Sequence, residues 1–113
     1  MDVKHSAVAI VPSEDLDRSQ LFYERLGFAL TSDYPVQGYR ILHDPNGASI
    51  HLTKVDSGWV DPERNAHGLY LYAENVDALA EAFDCQPQSK PWGLREFAVS
   101  DPSGLLIRVG WPA

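Results

Sequence analysis

The sequence predicts an α+β fold built from two tandem β-α-β-β-β units, and three observations predict it. First, Asp44-Pro45-Asn46-Gly47-Ala48-Ser49-Ile50-His51-Leu52 returns near the end of the chain as Asp101-Pro102-Ser103-Gly104-Leu105-Leu106-Ile107-Arg108-Val109. Second, Glu14-Asp15-Leu16-Asp17 is echoed by Glu74-Asn75-Val76-Asp77, each following an apolar run and opening a helical pattern. Third, apolar residues recur at helical spacing only in those two places, while the remaining segments are short, β-branched or aromatic, and punctuated by turns. A chain that repeats itself in this way holds two copies of one unit.

Residues 5–11 read as a strand by propensity, with Pro12-Ser13 as its stop. A helix begins near Ser13 to Asp15, where Ser and Asp supply caps and Glu14, Asp15 and Asp17 suit the positive end of the helix dipole. Leu16, Ser19, Phe22, Tyr23 and Leu26 share one face, and Gly27 follows as a left-handed cap with Phe28 as its apolar contact. Strands then run over 28–34, 38–43 and 48–55, broken by Pro35-Val36-Gln37-Gly38 and by the first Asp-Pro-Asn-Gly turn. A polar stretch from Asp56 to Ala66 reads as a linker, with Trp59 on a loop either folded onto the core or covering a cleft. The second unit opens with a strand at 68–73 and a helix whose Val76, Leu79, Ala80 and Phe83 share a face, ended by Gln86-Pro87. A weakly written strand lies in 86–90, and two apolar strands flank Asp101-Pro102-Ser103-Gly104. The single domain thus spans 1–113, with a first unit over about 1–56, a linker over about 57–66 and a second unit over about 67–113.

At this length a chain buries roughly 65% of its unfolded surface, enough for a core without staples. The lone Cys85 reads as a reduced structural thiol, since no second cysteine makes a disulfide or metal pattern with it. A formal charge of −7 argues against nucleic acid or an anionic membrane surface as partner and favours a cationic ligand at long range. No apolar run approaches the ~20 residues of a membrane span and no leader pattern is seen, so a cytoplasmic protein is expected.

Phe22-Tyr23-Glu24-Arg25-Leu26-Gly27-Phe28, together with Trp92-Gly93-Leu94-Arg95-Glu96-Phe97-Ala98-Val99-Ser100-Asp101-Pro102-Ser103-Gly104, resembles the glyoxalase/bleomycin resistance/dioxygenase (vicinal oxygen chelate) superfamily. The likeness covers nearly the whole chain. Pro91-Trp92-Gly93 with Arg95-Glu96-Phe97 is closest to the bleomycin resistance proteins. The resemblance implies cupped mixed sheets and a homodimer whose grooves hold a bulky antibiotic without changing it.

Alternation separates the faces of the sheets. Leu69, Leu71, Ile50, Leu52, Ile107 and Val109 turn to the helices, leaving Tyr70, Tyr72, His51, Thr53, Leu106 and Arg108 on the concave side. Trp92 is the first candidate for a stacking platform, because a large ring offers area and a π-face to a flat cationic ligand. Tyr34, Tyr39, Tyr70 and Tyr72 can add rings or hydroxyls, and His51, Thr53 and Arg108 polar contacts, although Arg108 repels a cation unless a carboxylate pairs with it. Arg95 and Glu96, as neighbours on one strand, point to opposite faces and each needs a partner elsewhere.

The superfamily's enzymes, as the resemblance implies, hold a divalent metal through His or Glu of the first and last strands of each unit. Here the last-strand positions are His51 and Arg108, and the first-strand positions fall near Val8 or Ala9 and at Gly68, with His5 and His67 close by. Arg cannot ligate, having no acceptor. Neither catalytic residues nor a metal or other cofactor is expected. The expected function is sequestration of a bleomycin-like cationic or planar aromatic drug. The alternatives are a metal-dependent lyase, isomerase or dioxygenase acting on a small metabolite, and a binding module for an endogenous metabolite.

Overall fold

A computed structural model describes residues 5–113. The first unit contains β1 (Ala9–Ser13), α1 (Leu16–Glu24), β2 (Ala29–Tyr34), β3 (Tyr39–His43) and β4 (Ser49–Lys54). The second contains β5 (Gly68–Tyr72), α2 (Val76–Ala82), β6 (Gln88–Ser89), β7 (Leu94–Ser100) and β8 (Leu106–Pro112). Each unit closes its own four-stranded mixed sheet, ordered β1-β4-β3-β2 and β5-β8-β7-β6. In both, the first strand runs parallel to the last and the other pairs are antiparallel.

The repeated turns match bond for bond. Asp44 receives the Gly47 amide on its carbonyl and the amides of Asn46 and Ala48 on Oδ1. Asp101 does the same for Gly104, Ser103 and Leu105. Gly47 and Gly104 have φ of 103° and 94°, the left-handed region that glycine enters without strain.

Two expectations need correction. β1 runs on through Pro12 to Ser13 rather than stopping there, since an edge strand paired on one side tolerates a residue without an N–H. α2 ends at Ala82 rather than at Gln86-Pro87, because Asp84 adopts a positive φ of 57° and the Cys85 amide turns back to the Ala80 carbonyl. α1 starts as its sequence dictates, with the Asp15 carboxylate accepting the Arg18 amide. After α1, Gly27 at φ 101° returns the chain so that Phe28 packs edge-on against Tyr23.

The buried faces of the two sheets meet the two helices in one core. Val11, Tyr23, Leu42, Ile50 and Leu52 of the first unit join Leu71, Leu79, Phe97, Ile107 and Val109 of the second. Across the junction, Phe22 packs on Phe83, and the Arg25 guanidinium lies 4.1 Å above that same ring. The Tyr23 hydroxyl donates to Asp101 at 2.6 Å, and the Glu14 amide donates to Ser103 at 2.9 Å. Because both sheets turn one face into this common core, their other faces point away from it. No helix among the described residues is long and apolar enough to cross a membrane.

Candidate functional site

On the outer face of β5, β7 and β8 the side chains converge on Glu96. Residues Phe97 and Val109 fill the core, so alternation sends Glu96 and Arg108 outward. The Glu96 side chain is only 1% exposed, yet it is a carboxylate on the outside of a sheet. What covers it are its own donors. The Trp92 indole N–H donates to Oε1 at 2.8 Å, the Tyr70 hydroxyl to Oε1 at 3.2 Å and the Arg108 guanidinium to Oε2 at 3.2 Å.

Each donor arrives for a local reason. Lys90-Pro91-Trp92-Gly93 forms a tight turn, with Pro91 at its second position and Gly93 at φ 82°, which carries the Trp92 ring back over the strand that follows. Arg108 pairs with Tyr70 across the parallel ladder. The Tyr70 ring then crosses β8 over Gly110, where a Cβ would lie on top of the hydroxyl and 3.0 Å from the Glu96 Cβ. Gly110 is therefore the gap through which Tyr70 reaches Glu96. Tyr72 packs against Tyr70 with ring centroids 4.9 Å apart.

Burial pushes the Glu96 carboxyl up, but the three donors and the Arg108 charge outweigh it and hold the group below its ordinary range. Burial first, then the bond to Glu96 and its charge, push the Tyr70 phenol up to about 12. The site is thus an ionised carboxylate under a fixed, neutral tyrosine and a fixed indole, and Trp92 remains 60% exposed while held at its polar edge.

The other expected residues lie on the outer face of the first sheet. The Tyr39 hydroxyl and His51 Nδ1 are 2.8 Å apart with their rings edge to face, and Thr53 stands opposite Tyr39 in the ladder. Tyr34, beside Tyr39 on β2, is half exposed. The chain thus gathers Trp92, Tyr70, Tyr72 and Arg108 on one outer face, and Tyr34, Tyr39, His51 and Thr53 on the other. It does not bring the two sets together. Two grooves of about 770 Å³ are also present, one between β1, β5 and the 59–65 segment and one between the end of α1, Asp44 to Asn46 and the start of α2, which Tyr72 lines. Trp59, 67% exposed, lines the first and so covers a cleft rather than the core.

Sequence reasoning left Glu96 outside the binding set. The available signal was a carboxylate alternating with the buried Phe97 on a strand whose outward neighbours are Trp, Tyr and Arg. The need for outside partners was legible, and both appear: Arg95 forms two bonds with Asp77 on α2, at 3.0 and 2.9 Å, and Glu96 takes Arg108.

Among the described residues, the side chains at the first- and last-strand positions do not fit a divalent-metal centre. Arg108 occupies the last-strand position of the second unit and is committed to Glu96, and Ile10 and Tyr70 stand across the ladder from His51 and Arg108. Among the described residues no three His, Cys, Asp or Glu side chains converge.

Solved structures share this architecture. A bleomycin-binding protein complexed with bleomycin is 22% identical, covering 97% of this chain and 100% of its own, with a TM-score of 0.80. TnmS3, an antibiotic-binding protein from Streptomyces sp. CB03234, is 29% identical over 100% of this chain and 99% of its own, with a TM-score of 0.71. A lactoylglutathione lyase from Agrobacterium tumefaciens is 18% identical over 97% and 96%, with a TM-score of 0.70. A search of curated proteins by sequence gave no match. The family description that does match covers residues 4–109, nearly the whole of both units, and the chain belongs to the Glyoxalase/Bleomycin resistance protein/Dioxygenase superfamily.

Proposed function

We propose that this chain is a metal-independent antibiotic-binding protein of the bleomycin type. It pairs as a homodimer and sequesters a bulky aromatic drug, chemically unchanged, in two grooves formed where outer sheet faces of the two copies meet. The observation that carries the reading is Trp92, a large ring that is 60% exposed and yet fixed by a 2.8 Å hydrogen bond to a buried carboxylate. An exposed aromatic held at its polar edge gives contact area to a flat ligand at little entropic cost. The fold shared with a bleomycin-binding protein and with an antibiotic-binding protein supports the same class. The fold shared with a lyase supports a metal enzyme less well, because among the described residues no three His, Cys, Asp or Glu side chains converge.

Isothermal titration with metal-free bleomycin tests the drug assignment. The expected result is saturable binding with the drug recovered intact. Absence of binding at about 100 µM, near −5.5 kcal/mol, overturns it. Stoichiometric nickel, zinc or iron in the purified protein overturns the metal-independent reading.

A further inference from the structure

The outer faces carry a charge pattern opposite to that of the whole chain. The protein has sixteen acidic residues and a formal charge of −7, yet only Asp33 and Glu96 lie in strands. Asp33 is turned toward α1, where it meets Arg40, itself bonded to Asp17 and Gln20. That leaves Glu96 as the one carboxylate at an outward strand position. Of the strand cations, Arg40 and Arg95 face the helices through Asp17 and Asp77, and Lys54 follows Leu52 on the inward side. Arg108 is the one permanent cation facing out.

The Glu96–Arg108 pair is not a neutral patch, because its two ends are not equally accessible. Side-chain exposure is 1% for Glu96 and 46% for Arg108, so the pair presents its positive end outward. The hydrogen-bonding groups lean the same way. Trp92 and Tyr70 spend their donors on Glu96, whereas Arg108 has five N–H groups and gives one to Glu96. A ligand lying on Trp92, Tyr70 and Tyr72 thus meets rings and guanidinium donors at its Arg108 end, whereas the groove that Tyr72 also lines carries Glu24, Asp44 and Glu74.

Resting on the reading that this face takes a small aromatic ligand, we infer the polarity of that ligand. It is a planar aromatic compound with an anionic or acceptor-rich oxygen edge, such as a carboxylate, sulfonate, phenolate or quinone. The rings lie over Trp92, Tyr70 and Tyr72, and the oxygen edge lies against Arg108. A cationic edge is disfavoured against Arg108 itself, so the cationic parts of a bleomycin-like drug lie away from it, on the side of Tyr72 where Glu24, Asp44 and Glu74 line a groove.

Three probes with one ring system separate polarity from stacking: 1-pyrenesulfonate, 1-pyrenemethanol and 1-pyrenemethylammonium. Each is titrated into the full-length protein at about 0.15 M salt, where charges beyond about 8 Å are screened, with tryptophan quenching and pyrene anisotropy as readouts. A charge-assisted hydrogen bond to Arg108 predicts that the sulfonate binds about tenfold or more tightly than the ammonium. Arg108→Gln should bring the sulfonate-to-ammonium affinity ratio to about one, whatever its effect on 1-pyrenemethanol, and Arg108→Lys should restore part of the preference. Should Arg108→Gln not fold, the wild-type ranking alone decides. Binding of the ammonium as tight as the sulfonate overturns the polarity and leaves aromatic binding standing. Failure of all three to bind the folded protein overturns the aromatic-binding reading itself, and the polarity with it.

Discussion

Tyr23 and Asp101 tie the two units together through one short hydrogen bond, and the pair sets a pH limit on stability. Burial, and then the charge and hydrogen bond of Asp101, raise the Tyr23 phenol well above its ordinary value. A phenol raised on folding contributes stability that is whole below the unfolded pKa of about 10 and lost as pH rises beyond it. Tyr23→Phe should therefore cost about 1–3 kcal/mol at neutral pH, by leaving a buried carboxylate oxygen without its donor, and should flatten the alkaline fall in denaturation midpoint. An equal alkaline fall in both proteins would assign the loss to other groups. Glu96 works in the opposite sense: held low on folding, it contributes stability above the unfolded value of about 4.3 and loses it as pH falls. Trp92→Ala should weaken ligand binding by about 1–3 kcal/mol with a small change in melting temperature, since the ring is exposed. Gly110→Ala should act from beneath. Its methyl displaces the Tyr70 hydroxyl, so binding and Tyr70 ionisation change together, followed by titration of absorbance at alkaline pH.

At the scale of elements, the duplicated turns provide an internal comparison. Asp44 and Asp101 make the same backbone bonds, but Asp101 is 4% exposed and also receives Tyr23. Asp101→Ala should cost about 2 kcal/mol more than Asp44→Ala in chemical denaturation, the difference being the buried phenol left unpaired. Equal costs would place the junction's strength in apolar packing alone. The repeat made the order of elements legible from the sequence, and alternation around Ile50, Leu52, Ile107 and Val109 assigned the faces of their strands. β6, two residues long, was legible only as a weakly written strand in 86–90, and the passage of β1 through Pro12 was not legible, because both depend on which strand lies alongside. Glu96 escaped as a site residue for a related reason. Its burial comes from Trp92, Tyr70 and Arg108, contributed by a turn and two other strands, and none of these contacts is written at a fixed spacing. The same holds for Gly110, whose importance is the space it leaves for a residue forty positions earlier.

For the whole molecule, the two outer faces expose Ile10, Tyr34, Tyr72, Trp92 and Leu106, large apolar side chains that a second copy would cover in the proposed dimer. Sedimentation equilibrium should give twice the chain's 12.6 kDa, and a monomer at micromolar concentration would contradict the proposed grooves. The two residue sets also predict a complementation pattern. If a groove joins the first sheet of one copy to the second sheet of the other, refolding His51→Ala chains with Trp92→Ala chains restores one full-strength site per mixed dimer. No recovery would mean that each chain builds its groove alone.

The Glu96–Arg108 pair also orders the substitutions this chain can accept. Exchanging Arg108 for a glutamate, the first step toward a metal-binding residue at that strand position, sets two carboxylates side by side and leaves the buried one without its cation. With Glu96→Gln already in place, the same exchange meets no such repulsion. Glu96 is therefore an epistatic lock: a carboxylate is accepted at position 108 only after the loss of the one that holds Trp92.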